Sequence, residues 1–291
     1  MNAISSFPPH DTPTDGGRKS RPPSVVVGQS YSDRPIAFGL DLPLELRGGA
    51  AAASPTLMLD LSLDWAPDFV RTVTEALESG RASSLNHLRL PPLALTGKRG
   101  VGRTHLCRTL ARAAGVPLVN LDVSDPRFGP QFGRRGRGPD VSVPSTVTLA
   151  MASSRCANPI VKVSGIEGAP EETLDGLARM IDPKVNRRYV EADLDATVDL
   201  SHVNWVLAYD NPDILPRRVR DAVRPVHLAE ATCPTRVVSI IMEAAADRDV
   251  GQLDPATAMD LFQQLAFEGL QTAGALYAEA CARLSGFPLP F

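Results

Sequence analysis

A short glycine-rich segment has the residue types and the spacing that phosphate binding requires. Residues 97–104 read GKRGVGRT and match the pattern G-x-x-x-x-G-K-[ST], except that Arg103 stands at the lysine position. Glycines let successive backbone N–H groups face one concavity, and the helix that follows favours an anion at its N-terminus. The residues predicted to hold a nucleotide are Gly97, Gly100, Val101, Gly102, Arg103, Thr104 and His105. The hydroxyl of Thr104 is the predicted ligand of a Mg²⁺ ion that arrives with the nucleotide.

Arg103 keeps the positive charge of the usual lysine but not its geometry. A lysine ammonium is a compact point charge, whereas the guanidinium group is wider, planar and forked. The exchange therefore predicts impaired nucleotide binding and a larger loss of hydrolysis. The alternative is a glycine-rich turn between a strand and a helix that binds nothing.

Alternating strand and helix patterns surround this segment. Apolar runs predict strands at 93–95, 117–123, 159–163, 203–209 and 225–228. Helical spacing predicts helices at 64–80, 104–114, 144–157, 171–181 and 219–223. Repeated strand–helix units of this kind predict the α/β class: a P-loop NTPase-type parallel sheet with flanking helices.

Three regions differ in composition along the chain. Residues 1–55 are rich in Pro, Ser, Gly and Asp, which predicts a disordered N-terminal tail with a short docking segment such as 36–46, or a partner-binding peptide. Residues 56–228 form the predicted α/β domain. Residues 229–291 lack strand patterns, and helical segments at 234–246, 255–267 and 270–284 predict a small helical lid domain.

Composition and charge narrow the class of protein and its partners. The chain has 291 residues and a formal net charge of −3, which gives no global reason to expect nucleic acid or an anionic membrane as a partner. No stretch approaches the ~20 apolar residues that span a bilayer, and no secretory signal is visible. The cysteines at 107, 156, 233 and 281 lie far apart, which predicts structural thiols. A soluble cytoplasmic protein is expected.

Three segments together resemble a known family. Residues 97–104, 158–163 and 182–211 look like the ATPase domain of Lon-type proteins within the AAA+ superfamily, and the likeness covers roughly residues 85–285. It implies ATP or ADP with Mg²⁺ as cofactor, a helical lid, and a homo- or hetero-oligomer with AAA+ subunits. The resemblance does not extend to the Ser–Lys protease domain of that family, so we expect no peptidase activity.

In this chain, other residues stand at the positions where the family has its catalytic residues. The acidic pair that ends the Walker B strand falls on Ser164 and Gly165, neither of which is a carboxylate, and Glu167 is the candidate substitute for the base. The sensor-1 asparagine falls on Asp210, with Asn211 beside it. A carboxylate near a γ-phosphate is repulsive unless a metal or an arginine intervenes.

Two arginine roles of the family are also replaced. The arginine finger falls on Ala222, flanked by Arg220 and Arg224, and the lid's sensor-2 arginine falls near Gln271. An arginine finger alone is worth about 10³ to 10⁵ in rate, so these replacements predict a degenerate ATPase with weak or absent hydrolysis. Two alternatives stay open: an active ATPase with relocated catalytic residues, and a scaffold or adaptor that binds no nucleotide.

A loop at 127–138 is a second candidate surface. It carries four arginines and two phenylalanines, and its Phe132-Gly133 pair resembles the aromatic pore element of AAA+ rings. A protein substrate or partner contact at Phe128–Gly138 is one interpretation. Binding to a phosphate backbone by charge and stacking is a second, less favoured one, and a solvated flexible loop is the third.

Overall fold

The computed structural model describes most of the predicted α/β domain. The described residues are 22–32, 35–49, 63, 66–97, 101–125, 144–191, 194–211 and 215–228, together with the isolated positions 241, 260, 279–281 and 283. Most of the predicted lid helices, the loop at 127–138, and the site candidates Gly100 and Gln271 lie outside this part of the chain.

The described elements alternate between strands and helices through most of the domain. The strands are β1 (Ser24–Val25), β2 (Gly28–Ser30), β3 (Leu44–Glu45), β4 (Leu93–Thr96), β5 (Leu118–Asp122), β6 (Ile160–Ser164), β7 (Tyr189–Glu191), β8 (Ala196–Val198), β9 (Asn204–Tyr209) and β10 (Arg224–His227). The helices are α1 (Pro67–Ala82), α2 (Arg103–Ala114), α3 (Thr146–Ser154), α4 (Glu171–Ile181) and α5 (Arg217–Ala222).

A five-stranded sheet forms the centre of the domain, in the order β10-β4-β9-β6-β5, with every described pairing parallel. The predicted α/β class is therefore confirmed. Because all five strands run in one direction, their carboxyl ends meet at one edge, and the turns that follow them can share a site there.

Two apolar layers cover the faces of this sheet. Alternate side chains of β6 and β9 separate between them: Val161 and Trp205 join the core that contains α3 and α4, whereas Ile160 and Val206 join the core beneath α1 and α2. This alternation follows from the two-residue period of a strand, and it places Lys162 on the same face as α2.

Helix α4 shows why the sequence forms these elements. Its buried residues recur at helical spacing and include Leu174, Leu177 and Ile181. Glu171 and Glu172 lie in its first turn, where carboxylates favour the positive end of the helix dipole. The predicted bounds of this helix agree with the structure.

Part of the predicted N-terminal tail is folded against the domain. Strand β1 pairs antiparallel with β3, and β2 joins β8 and β7 in a second small sheet. The side chains buried by this segment are Val27, Ile36, Leu40, Leu44 and Leu46. Residues 22–32 and 35–49 thus differ from the predicted disorder, because their apolar side chains gain a core through pairing with distant segments. The suggested docking segment 36–46 lies within them.

Two buried asparagines fix the opposite, amino-terminal edge of the sheet. The Asn158 side chain accepts from the Arg47 N–H at 2.8 Å and donates to the carbonyl oxygens of Arg47 and Leu88 at 2.8 and 2.9 Å. Asn204 accepts from the Leu90 N–H at 2.7 Å and donates to the Asn158 carbonyl at 3.0 Å. These bonds satisfy backbone groups that would otherwise be buried without partners.

A pair of histidines lies near the same edge. The ring centroids of His87 and His202 are 6.2 Å apart, with the rings edge to face. Burial is the main cause that lowers the pKa of both rings, and the charge of Arg89 adds to it. Asp199 acts in the opposite direction on His202.

Candidate functional site

The turn between β4 and α2 needs glycine at two described positions. Gly97 has φ of +139°, and a Cβ there would lie 2.6 Å from the carbonyl oxygen of Leu228. Gly102 has φ of +94° and precedes the first residue of α2. L-residues with a side chain rarely adopt this backbone region, so the two glycines fit the predicted phosphate-loop geometry.

Arg103 begins α2 and is held by a carboxylate from another strand. Its Nη2 lies 2.6 Å from Oδ1 of Asp210, which follows β9. The Arg103 side chain is only 12% exposed, whereas that of Asp210 is 43% exposed. Its Nη1 is buried and has no hydrogen-bond partner among the described residues. A buried guanidinium nitrogen without an acceptor is costly, so the arrangement favours an additional acceptor at this position.

Glu167 accepts a hydrogen bond from the backbone of Asp210, next to this ion pair. Its Oε1 accepts a hydrogen bond from the Asp210 N–H at 2.6 Å. The structure therefore brings together three of the predicted residues, Arg103, Glu167 and Asp210, although they lie far apart in sequence.

The end of β6 lacks an acidic side chain and has no room for one. Gly165 has φ of +75°, and a Cβ there would lie 2.0 Å from Oδ1 of Asp122 and 2.7 Å from Oγ of Ser124. Asp122 ends β5 and pairs in register with Ser164. Its Oδ1 accepts from the N–H and the Oγ of Ser124 at 3.0 and 2.7 Å. The carboxylate of Asp122 thus occupies the space beside residue 165.

Lys162 adds a second cation beneath the loop. Burial lowers the pKa of its ammonium group, and the positive charge of Arg103 contributes in the same direction, whereas Asp122 opposes this effect. Lys162 therefore lies within electrostatic range of both ends of the site. Sequence analysis missed Asp122 and Lys162. The available signal was a charged residue on or at the end of a strand that follows the phosphate loop in sequence.

The sequence of this chain is similar to those of several curated proteins. The chain is 24% identical over 152 residues to a Lon protease of Brevibacillus choshinensis, covering 51% of this chain and 20% of that protein. It is 27% identical over 154 residues to Lon protease 2 of Myxococcus xanthus, covering 50% and 18%. A mitochondrial Lon protease homologue of Arabidopsis thaliana is 24% identical over 166 residues, covering 56% and 17%. The α/β part of this chain is thus similar in sequence to part of these Lon proteases.

Solved structures and family models complete the comparison. Two mutants of Thermotoga maritima RuvB match with TM-scores of 0.44 and 0.45 at 16% and 15% identity, and each match covers 72% of this chain and 59% of the other. No protein-family model matches the chain. The chain spans about a fifth of the length of the curated Lon relatives that it matches.

Other predicted site residues lie around this edge. Thr104 and His105 are in the first turn of α2, with His105 Nδ1 at 3.5 Å from Thr109 Oγ1, and Val101 is buried against the core. Asn211 follows Asp210 and is exposed. Asp210, the residue predicted at the sensor-1 position, forms an ion pair with Arg103.

The two predicted arginine candidates, Arg220 and Arg224, differ in their contacts. Arg224 is bound by Glu75 of α1 at 2.6 Å. Arg220 is exposed on α5 and lies near the end of β9, where its charge opposes the burial that raises the pKa of Tyr209. Ala222 is on the same short helix. Both arginines are exposed, and Arg224 is engaged in the ion pair with Glu75.

The loop between β4 and α2 carries groups that suit an anion. No group of three or more His, Cys, Asp or Glu residues in the described ranges is arranged to hold a metal ion. The partly described loop, by contrast, supplies two required glycines, a threonine hydroxyl and a buried cationic nitrogen without an acceptor. Mg²⁺ usually binds through one or two protein ligands together with phosphate oxygens, which agrees with this set. No helix within the described ranges has the length and apolarity to cross a membrane.

Proposed function

We propose that this chain binds ATP or ADP together with Mg²⁺ at the loop between β4 and α2 and hydrolyses it slowly or not at all. The observation that carries the proposal is Arg103, whose buried Nη1 has no partner among the described residues. A phosphate oxygen would supply the missing acceptor, and guanidinium–phosphate hydrogen bonds are strong because both groups are charged. The residues proposed to hold the nucleotide remain Gly97, Gly100, Val101, Gly102, Arg103, Thr104 and His105.

Slow hydrolysis follows from the carboxylates around this loop. Residues 164 and 165 offer no base, and the nearest predicted substitute, Glu167, accepts a hydrogen bond from the Asp210 backbone. General-base catalysis typically contributes about 10²- to 10⁴-fold in rate. The carboxylate of Asp210 also lies where charge on a γ-phosphate would be repelled, although Arg103 screens part of that repulsion.

Calorimetric titration with ATP and ADP in the presence of Mg²⁺ tests the binding half of the proposal. Saturable binding is expected for the wild type, with a strong loss for Arg103→Ala and a weaker one for Thr104→Ala. Arg71→Ala removes an exposed arginine that pairs with Asp68 on α1 and serves as the matched control. Phosphate release at the rate of ordinary AAA+ enzymes, abolished by Thr104→Ala, would refute slow hydrolysis.

An active ATPase with Glu167 as its base is the second candidate. The observation in its favour is that Glu167 contacts the residue that pairs with Arg103, which places its carboxylate at the site. Glu167→Gln separates the two candidates, because the amide oxygen can still accept from the Asp210 N–H while the basic oxygen is lost. Turnover that stops with nucleotide affinity unchanged would favour the active ATPase.

Assembly is a further part of the proposal. We infer that the domain works in a homo- or hetero-oligomer with AAA+ subunits, as its family resemblance implies, with Arg220 as the candidate group that reaches a neighbour's nucleotide. Solution mass with and without ATP tests this, and Arg220→Ala should reduce any nucleotide-dependent assembly. A scaffold that binds no nucleotide would show assembly without any heat of ATP binding. The segment 128–138 stays a predicted protein-contact loop.

A reducing, cytoplasmic location accompanies this function. Cys107 and Cys156 are buried as free thiols. Free thiols persist in reducing compartments, where disulfides are rare.

A further inference from the structure

The carboxylate of Asp122 leans toward the end of the neighbouring strand. Its Oδ1 lies 2.0 Å from the position that a Cβ of residue 165 would take, a separation that no real side chain tolerates. A carboxylate at position 122 in this orientation and a side chain at position 165 therefore exclude each other. Because Gly165 has no side chain, the carboxylate of Asp122 can occupy this space. The backbone of Gly165 is in the left-handed region, which glycine adopts readily.

Hydrogen bonds hold one of the two carboxylate oxygens of Asp122. Both of its hydrogen bonds from described residues, from the N–H and the Oγ of Ser124, go to Oδ1. Oδ2 receives none from the described residues and the side chain is exposed to solvent. One oxygen thus anchors the group, and the other remains able to accept from bound water.

Asp122 also belongs to the electrostatic surroundings of the phosphate loop. It pairs in register with Ser164, the position at which the Lon-type pattern has its metal-orienting aspartate. The ammonium of Lys162 experiences the charges of both Asp122 and Arg103. β6 and β9 separate β5 from β4 in the sheet. Because side chains alternate along a strand, Asp122 is on the same face of β5 as Leu118, which packs against the core beneath α2.

We infer that Asp122 positions the Mg²⁺ of a bound nucleotide through metal-bound water, in place of the carboxylate that β6 lacks. This inference rests on the proposed nucleotide binding. Mg²⁺ dehydrates reluctantly and keeps several waters, so a carboxylate that accepts from these waters orients the ion without contacting it. Thr104 is the direct ligand, and Asp122 is the positioning residue.

The Mg²⁺ dependence of nucleotide affinity tests this role. The affinity of the full chain for a fluorescent ATP analogue is measured with Mg²⁺ and with EDTA, for the wild type and for Asp122→Asn. The amide oxygen of asparagine can still accept from Ser124, so the turn is preserved while the charge is lost. The expected result is an about ten- to hundredfold smaller gain from Mg²⁺, the usual loss when a group supporting a metal ligand is removed. Affinity in EDTA should be unchanged or slightly higher.

Two further variants distinguish metal positioning from a purely structural role. Asp175→Asn makes the same change at an exposed position of α4 and should leave the gain from Mg²⁺ intact. Ser124→Ala removes one anchoring hydrogen bond but keeps the carboxylate, so it should lower Tm while a Mg²⁺ dependence remains. Replacing Mg²⁺ by Mn²⁺ allows the bound metal to be measured directly by electron paramagnetic resonance, with Asp122→Asn weakening the signal of the nucleotide-bound ion.

The possible failures are separable. If the wild type binds the analogue and Asp122→Asn retains the full gain from Mg²⁺, the inference about Asp122 is wrong and nucleotide binding stands. If the wild type binds neither with Mg²⁺ nor with EDTA, both the inference and the proposed function are overturned.

Discussion

The ion pair between Arg103 and Asp210 makes a quantitative prediction about nucleotide affinity. A bound phosphate must share the guanidinium with Asp210 or displace it, because Nη2 already lies 2.6 Å from Oδ1 of that aspartate. Asp210→Asn removes the competing charge. The hydrogen bond between the residue 210 N–H and Glu167 involves the backbone, so the variant can retain it.

The size of the effect follows from the exposure of the pair. Hydrogen bonds to charged groups contribute about 1.5–3 kcal/mol, and exposed ion pairs contribute at most about 1 kcal/mol. Asp210 is 43% exposed and Arg103 is 12% exposed, so an intermediate value of about 1–2 kcal/mol is reasonable. At about 1.4 kcal/mol per factor of ten, Asp210→Asn should tighten ATP binding roughly 5- to 30-fold. The gain should be larger for ATP than for ADP, because the γ-phosphate adds charge.

Calorimetry on the wild type and two variants checks this prediction. Asp221→Asn is the matched control, because Asp221 forms an exposed pair with Arg217 on α5 at 3.6 Å. The control should leave both affinities unchanged. Weaker ATP binding by Asp210→Asn would mean that the aspartate supports the nucleotide, for example through the metal ion, and the competition argument would be wrong.

Three further predictions concern the rest of the domain. Asn158→Ala leaves backbone groups without partners at a fully buried position and should lower the free energy of unfolding in urea by about 3 kcal/mol or more, whereas the exposed Ser153→Ala should change it little. His87 and His202 have lowered pKa values in the folded state, so the unfolded chain binds more protons below about pH 6.5 and stability should fall from pH 7.5 to 5.5. Replacing both by Gln should flatten that fall, and an unchanged slope would contradict the assignment. Burial raises the pKa of Cys107 to about 12, so iodoacetamide at pH 8 should label it only after denaturation, as read by mass spectrometry.

The regular elements of the domain could be predicted because their signals are local. Helix α4 carries its apolar spacing, its acidic first turn and its basic last turn within eleven residues. The phosphate loop is equally local, since its glycines and Thr104 lie within residues 97–104. Patterns of this kind depend on neighbours in sequence, which a single chain displays in full.

The missed elements depend on distant partners. Strand β1 has two residues and is stabilised by β3, while β2 pairs with β8, more than 160 residues away. Strands this short have no periodicity to detect. The same reason explains the site: Arg103 and Asp210 are 107 residues apart, and only the parallel sheet brings them together. Asp122 carried a detectable signal as an acid that ends a strand, but its lean toward Gly165 requires coordinates.

Because Asp122 lies so close to Gly165, the cost of a substitution at position 165 depends on which residue is already present at position 122. A glutamate introduced at position 165 would have to displace the carboxylate of Asp122 and abandon a left-handed backbone, at a cost of about 1–2 kcal/mol for the backbone alone. A glutamate introduced at position 165 after residue 122 has been shortened would not meet that carboxylate, but the left-handed backbone would still oppose it. The exchange at position 165 alone therefore carries both costs, and the exchange that follows the shortening of residue 122 carries mainly that of the backbone.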